Sequence, residues 1–404
     1  MLLAPHRLGF FLAMVVLAAS GLWWAAVQVD RATGWLGLSP AMPPTVLHAT
    51  VMVFGFVPLY FAGFLFTAGP KWLGVPPPST RQVAPALLAQ ALGWLLWLAG
   101  GQVAVVLALV GLVCATAGLA ATGWRFAGLV RRSRMDDRVH AMAIAGALAV
   151  GTATPAGIAV ALAMGRWDVA RACTSSGLWG FVVAVYVTVA HRMIPFFTSS
   201  ALPLVHAWRP FWVLWLLLGV AGFEAIAPWA DFTGLAPPAW TAVRSLLELA
   251  AGGVVLWLAL AWGLVQSLKV RLLCMLHLGF AWLGIGLVLG GVSQALLLFT
   301  GSPVLPLASL HAVTMGCLGS LLLAMVTRVS CGHGGRALVA DDALWALFWL
   351  LQAATVLRLA ATLPQGPAPA LLAAAGSLWG AVALAWALRL GGWYGRPRAD
   401  GRPG

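Results

Sequence analysis

The sequence predicts an all-α integral membrane protein of about twelve transmembrane helices, a single polytopic domain over residues 1–404 with both termini cytoplasmic. Three observations predict it. The chain is 62% hydrophobic and only 8% charged, with a mean hydropathy of +0.96, whereas a soluble domain carries about 25% charged residues. Apolar runs long enough to cross a bilayer follow one another with no soluble domain between them. The lysines and arginines fall between those runs with an alternating bias.

The runs, broken by glycine, proline and charge, place helices at 8–29, 46–69, 83–99, 102–123, 139–163, 172–192, 210–229, 240–266, 273–299, 305–327, 342–362 and 369–390. The first lacks a small-residue cleavage site and is long enough to span, so it is a retained helix, not a signal peptide. Gly100-Gly101 marks the boundary between the third and fourth. Eighteen of the 23 basic residues lie on the side of the N-terminus: Arg7, Lys71, Arg81, Arg125, Arg131, Arg132, Arg134, Arg138, Arg192, Arg209, Lys269, Arg271, Arg328, Arg336, Arg389, Arg396, Arg398 and Arg402. The opposite side has Arg31, Arg166, Arg171, Arg244 and Arg358. This bias keeps phase with twelve spans and points to the cytoplasm for both termini. It also disposes of nucleic acid as a partner, despite the net charge of +13. The arginines sit between spans and form no folded face; the partner is the lipid bilayer.

Cys114, Cys173, Cys274, Cys317 and Cys331 are scattered, and no C-x-x-C or C-x-x-C-H occurs. Zinc ribbons, iron–sulfur clusters and covalently attached haem are therefore not expected, nor are disulfides. A Walker A loop, a G-x-S-x-G elbow and an H-E-x-x-H helix are also missing.

Two histidines carry the functional reading. Leu47-His48-Ala49-Thr50-Val51-Met52 and Leu310-His311-Ala312-Val313-Thr314-Met315 are matching phrases at the starts of the second and tenth segments. An intramembrane histidine is expensive unless it is used. His48 falls about one turn into its helix and His311 about two, so at roughly 1.5 Å per residue the two lie at similar depth near the outer surface. One flat cofactor between the two helices would take both as axial ligands, and haem iron suits imidazole. Met52 and Met315 follow four residues on, on the same helical face. A thioether can replace one imidazole, but core filling is the plainer role for both. Haem propionates need a cation. Arg358 has no acidic neighbour at helical spacing and is the favoured partner; Arg244 is the second candidate, with a local ion pair to Glu248 as its plainer role.

The other histidines lie toward the cytoplasmic side. His6 and His140 read as interfacial and His206 as a loop residue. His191, His277 and His333 are placed to approach one another and hold a second metal, although no spacing requires it.

Longer stretches resemble the NnrS family. They are His48-Ala49-x-x-Met52-x-x-Gly55-Phe56 with Ala62-Gly63-Phe64-Leu65 and Pro70-x-Trp72, Ile194-Pro195-Phe196-Phe197-Thr198, and His277-x-Gly279-x-x-Trp282-Leu283. The tenth segment adds His311-Ala312-x-Thr314-x-Gly316, then Met325-x-Thr327-Arg328-Val329-Ser330-x-Gly332-His333-x-Gly335-Arg336. The resemblance implies a haem- and copper-containing protein of the bacterial inner membrane, linked to nitric-oxide metabolism, denitrification and nitrosative stress. It implies an architecture similar to subunit I of the haem–copper oxidases, whose second and tenth helices supply haem ligands near the outer face. One departure stands out. The family's second helix usually reads His-Ala-His-Glu-Met, and Thr50 and Val51 stand here in place of the second histidine and the glutamate. No copper is therefore expected beside the haem.

The sequence thus supports a protein that binds haem b between helices 2 and 10 and handles nitric oxide or its iron adducts, or passes electrons to something that does. Two alternatives stay open. A membrane reductase distantly related to the haem–copper oxidases would need a vacant iron position and a second metal nearby. A cofactor-free twelve-helix transporter would use the histidines for substrate. No internal repeat beyond the shared histidine phrase favours the transporter.

Overall fold

The computed structural model describes residues 4–202, 206–232, 238–364 and 366–401. Among them are no strands and twelve helices long and apolar enough to cross a membrane. These are α1 (Pro5–Thr33), α2 (Pro44–Leu73), α3 (Thr80–Val103), α4 (Val105–Arg132), α5 (Val139–Ala163), α6 (Trp167–Ala201), α7 (Phe211–Phe232), α8 (Pro238–Ala261), α9 (Arg271–Thr300), α10 (Ala308–His333), α11 (Asp342–Ala360) and α12 (Ala368–Tyr394). All twelve expected segments are present. An even number of spans returns the chain to the end where it began, and there Arg7 Nη1 donates to the Arg396 carbonyl at 2.8 Å. We call this the termini end and the opposite one the distal end. Arg402 lies outside the described residues.

Four helices form the interior. The apolar stretches of α2, α6, α9 and α10 are 72–83% buried inside the protein, against about a third for α5, α7, α8, α11 and α12. The peripheral helices turn bare apolar side chains outward, among them Val103, Leu246 and Leu388, each more than two-thirds exposed. Such a surface needs a bilayer to cover it.

Local chemistry explains the departures from regular helix. Pro58 has no N–H to give the Phe54 carbonyl, and α2 breaks at Gly55 and Phe56 before resuming at Val57. Two π-helical segments interrupt the interior, Leu178–Val183 in α6 and Ala312–Gly319 in α10. Such segments gather at functional sites.

The structure corrects two sequence boundaries. Gly100 and Gly101 do not end α3; the break is Ala104, in an extended conformation. Both glycines are helical because neighbours press on them: a Cβ at Gly100 would meet the Ala108 nitrogen at 2.4 Å, and one at Gly101 the Leu47 side chain at 2.4 Å. At the other boundary, Leu305 and Leu307 take φ of 58° and 64°, which no helix allows, so α10 starts at Ala308 rather than 305.

Candidate cofactor site at the distal end

The first turn of α2 is held from behind by α3. Pro43 and Pro44 open the helix, with Pro44 supplying a φ already suited to its first turn. Trp97 Nε1 then donates to the Leu47 carbonyl at 3.1 Å, Leu47 seats against Gly101, and the Met42 N–H donates to the Gly101 carbonyl at 3.1 Å. These contacts fix the backbone on either side of His48. Its ring stacks on Trp24 of α1, centroids 3.8 Å apart and planes 15° from parallel. The Arg31 guanidinium lies 5.5 Å from the centroid of the same indole. His48 Nδ1 is buried and has no hydrogen-bond partner.

The first turn of α10 is positioned by α9 and α11. Gly286 lets Val313 approach within 2.6 Å of where a Cβ would stand, and Gly316 accepts the Trp282 indole at 2.5 Å. Trp282 Nε1 donates to Gln352 Oε1, and Gln352 Nε2 donates to Ser320 Oγ, at 2.7 and 2.9 Å. His311 Nδ1 donates to the Leu307 carbonyl at 2.9 Å. That bond places the proton on Nδ1 and leaves Nε2 as the free lone pair, the arrangement usual for a metal-bound imidazole. The carbonyl belongs to a leucine in the left-handed region, a conformation costing on the order of 1–3 kcal/mol.

His48 and His311 now stand at matched depth, each within about one turn of its helix start. His48, His311 and Arg358 are within electrostatic range of one another. His48, Ala49 and Met52 on α2 and His311, Thr314 and Met315 on α10 stay partly exposed, although both helices are otherwise interior. The residues between them, Thr50 and Val51 or Ala312 and Val313, are fully buried. Thr50 and Val51 therefore lie away from the partly exposed face that carries His48. Arg358, near the distal end of α11, has no carboxylate partner among the described residues.

Arg244 is differently placed. Its guanidinium is taken by three carboxylates: Glu248 at 2.7 Å, Asp231 at 2.8 Å and Glu224 at 3.3 Å. The ion pair expected with Glu248 is present, and Asp231 and Glu224 join it.

At the termini end the three histidines considered for a second metal do not converge. His191 accepts at Nδ1 from His140 Nε2, 3.0 Å away, and donates from Nε2 to the Pro210 carbonyl at 3.1 Å. His277 Nε2 donates to Thr198 Oγ1 at 2.9 Å, since that hydroxyl's own proton goes to the Ile194 carbonyl. The His333 ring lies 4.5 Å from that of His6. Among the described residues no group of three or more His, Cys, Asp or Glu is placed to hold a metal ion. His6 and His140 lie in the first turns of α1 and α5, where they are buried by the protein.

The sequence did not single out Trp24, which only its stacking on His48 distinguishes from the other 21 tryptophans. Nor could it show the Leu307 carbonyl, whose position depends on a backbone turn that leucine rarely takes.

The imidazoles and the cation fit a haem as donors. His311 offers a directed Nε2, His48 has an unsatisfied buried nitrogen, and Arg358 supplies an uncommitted charge. A family profile described as NnrS protein matches residues 1–398 of the chain. A search of curated proteins finds no match.

Proposed function

Because the chain belongs to the NnrS family, nitric-oxide-related multi-pass membrane proteins associated with haem and metal binding, we propose that it binds one haem b between α2 and α10 at the distal end. In this reading His48 and His311 would hold the haem iron, Arg358 would meet a propionate, and the protein would handle nitric oxide or its iron adducts in a bacterial inner membrane. The observation that carries it is the pair of partly exposed imidazoles, each within about one turn of the start of an interior helix and within electrostatic range of the other and of Arg358.

Each residue has a physical task. The Leu307 carbonyl holds the His311 proton on Nδ1, so that Nε2 presents its lone pair. Trp24 limits rotation of the His48 ring by stacking on it. Arg31, above the same indole, adds positive charge beside the site. Arg358, desolvated at the edge of the bundle, attracts an anionic group more strongly than it would in water. Bound haem supplies reversible one-electron chemistry and, when a ligand position is free, affinity for small gases. Met52 and Met315 are packing groups beside the two histidines.

The test is a visible absorption spectrum of the full chain purified after expression with ample haem. A reduced b-type spectrum at about one haem per chain is expected. A colourless protein overturns the reading and leaves the cofactor-free transporter.

A further inference from the structure

A second polar cluster is buried between α7 and α8. Glu224 and Glu248 are each only 4% exposed. One cation, Arg244, serves both, and it also serves Asp231, which lies half exposed at the distal end of α7. Three carboxylates on one guanidinium leave negative charge uncompensated in a low-dielectric interior, which is costly.

The oxygens show where compensation is missing. Glu248 Oε1 and Glu224 Oε2 face the guanidinium. The other two, Glu224 Oε1 and Glu248 Oε2, are buried and accept no hydrogen bond. Both carboxyl groups nevertheless reach the same guanidinium, which holds them side by side. Two ionised carboxylates have only acceptors to offer each other; one proton turns the contact into a bond.

Among the described residues the surroundings supply no competing charge. On α9, Gly290 faces the pair, and a Cβ there would come within 2.4 Å of Glu248 Oε2; beside it Gly291 accepts Ser245 Oγ at its carbonyl. The start of α10 brings Ser309, a neutral hydroxyl, to 3.1 Å from the same Gly290 position. On α6 the nearby polar group is Ser176, which donates to the Ala225 carbonyl and accepts from Trp229 Nε1. The charged pair Arg166 and Asp168 lies near the α6 start and is exposed. The charges acting on the pair are therefore Arg244 and Asp231.

We propose that Glu224 and Glu248 form an intramembrane proton-binding site that holds one proton between them beside Arg244, with Asp231 at its distal, water-facing edge. The step is the addition of one proton to one carboxylate oxygen, with no bond broken elsewhere. The inference does not rest on the haem reading, and a colourless protein would leave it intact.

Infrared spectroscopy of the full chain in lipid at neutral pH tests it. We expect one protonated-carboxyl C=O band that shifts in heavy water. Glu224→Gln and Glu248→Gln should each abolish it, because the surviving glutamate ionises against Arg244. Asp168→Asn should keep it. A wild-type spectrum without the band, a band that survives both substitutions, or a band lost in only one of them overturns the shared site. Should either variant fail to fold, the unaltered chain is treated with dicyclohexylcarbodiimide, which reacts with protonated carboxyls in apolar surroundings. Labelling at Glu224 or Glu248 is expected; labelling at neither overturns the proposal.

Discussion

His48 and His311 differ in what holds them, and the difference sets how their variants should behave. His311 has a fixed tautomer through the Leu307 carbonyl, whereas His48 is oriented by the Trp24 face alone. His48→Ala and His311→Ala should each abolish or convert the haem spectrum, since each removes a side chain that would hold the iron. Met52→Leu and Met315→Leu should leave it nearly unchanged, because volume-conserving swaps usually cost under about 1.5 kcal/mol. A methionine change that removes the spectrum while His48→Ala keeps it would reverse the assignment. Arg358→Leu should weaken haem retention by roughly 10-fold or more, the worth of a charge-assisted hydrogen bond at about 1.5–3 kcal/mol. Haem transfer to apomyoglobin measures this; an unchanged transfer rate removes Arg358 from the site. The two histidines were legible in the sequence because imidazole in an apolar run is costly and the same phrase occurs twice. Glu248 was legible as the ion-pair neighbour of Arg244, but its pairing with Glu224 was not. They are 24 positions apart on different helices, and only packing brings them to one guanidinium.

At the scale of the element, glycine decides how closely the interior helices approach. Periodicity and length sufficed to place twelve spans, but they could not tell a helix-breaking glycine from one that another helix presses against. Gly100 and Gly101 were read as a break and prove to be the seat of α2. The same limit hid the π segments, which leave no mark in an apolar run. Gly177, directly before the π segment of α6, shows the consequence. A Cβ there would meet Phe54 Cζ at 2.1 Å and Thr154 Oγ1 at 2.8 Å. Phe54 is fully buried and stacked parallel to Trp94, so it has no room to yield. Gly177→Ala should therefore destabilise by about 1–3 kcal/mol, as overpacking does. Gly219 on α7 is exposed with nothing within 4 Å of a Cβ. Gly219→Ala should be neutral or gain a few tenths of a kcal/mol, since helical glycine costs roughly 0.5–1 kcal/mol against alanine. Thermal unfolding midpoints in one detergent compare the two directly. Equal midpoints would mean that α6 and α2 are not packed as described.

The whole molecule is polarised along its axis, and that polarity has a testable direction. The termini end carries most of the basic residues, many of them laid over aromatic rings. Arg131 lies over Trp124 at 5.4 Å, Arg192 over Trp72 at 5.1 Å, Arg271 over Trp345 at 5.8 Å and Arg336 over Trp393 at 4.3 Å. Tryptophan prefers the headgroup level and arginine the cytoplasmic side of it, so these stacks both anchor the bundle in depth and orient it. At the distal end the comparable stack is Arg31 over Trp24, already part of the histidine cluster. The loop after α1 is tied down there by Asp30, whose carboxylate accepts from the N–H groups of Leu36, Gly37 and Leu38 at 2.7–2.9 Å. That loop lies at the distal end and the α4–α5 connection with Arg134 at the termini end, so the two are decisive reporter positions. Alkaline phosphatase fused after Gly37 should be active, and fused after Arg134 inactive, with a cytoplasmic reporter giving the reverse pattern. This outcome would place His48, His311 and the Asp231 edge of the carboxyl pair on the side away from the cytoplasm. Activity after Arg134 would invert the bundle. It would then bring both sites to the cytoplasmic face, so that any ligand or proton reaching them would have to come from inside the cell.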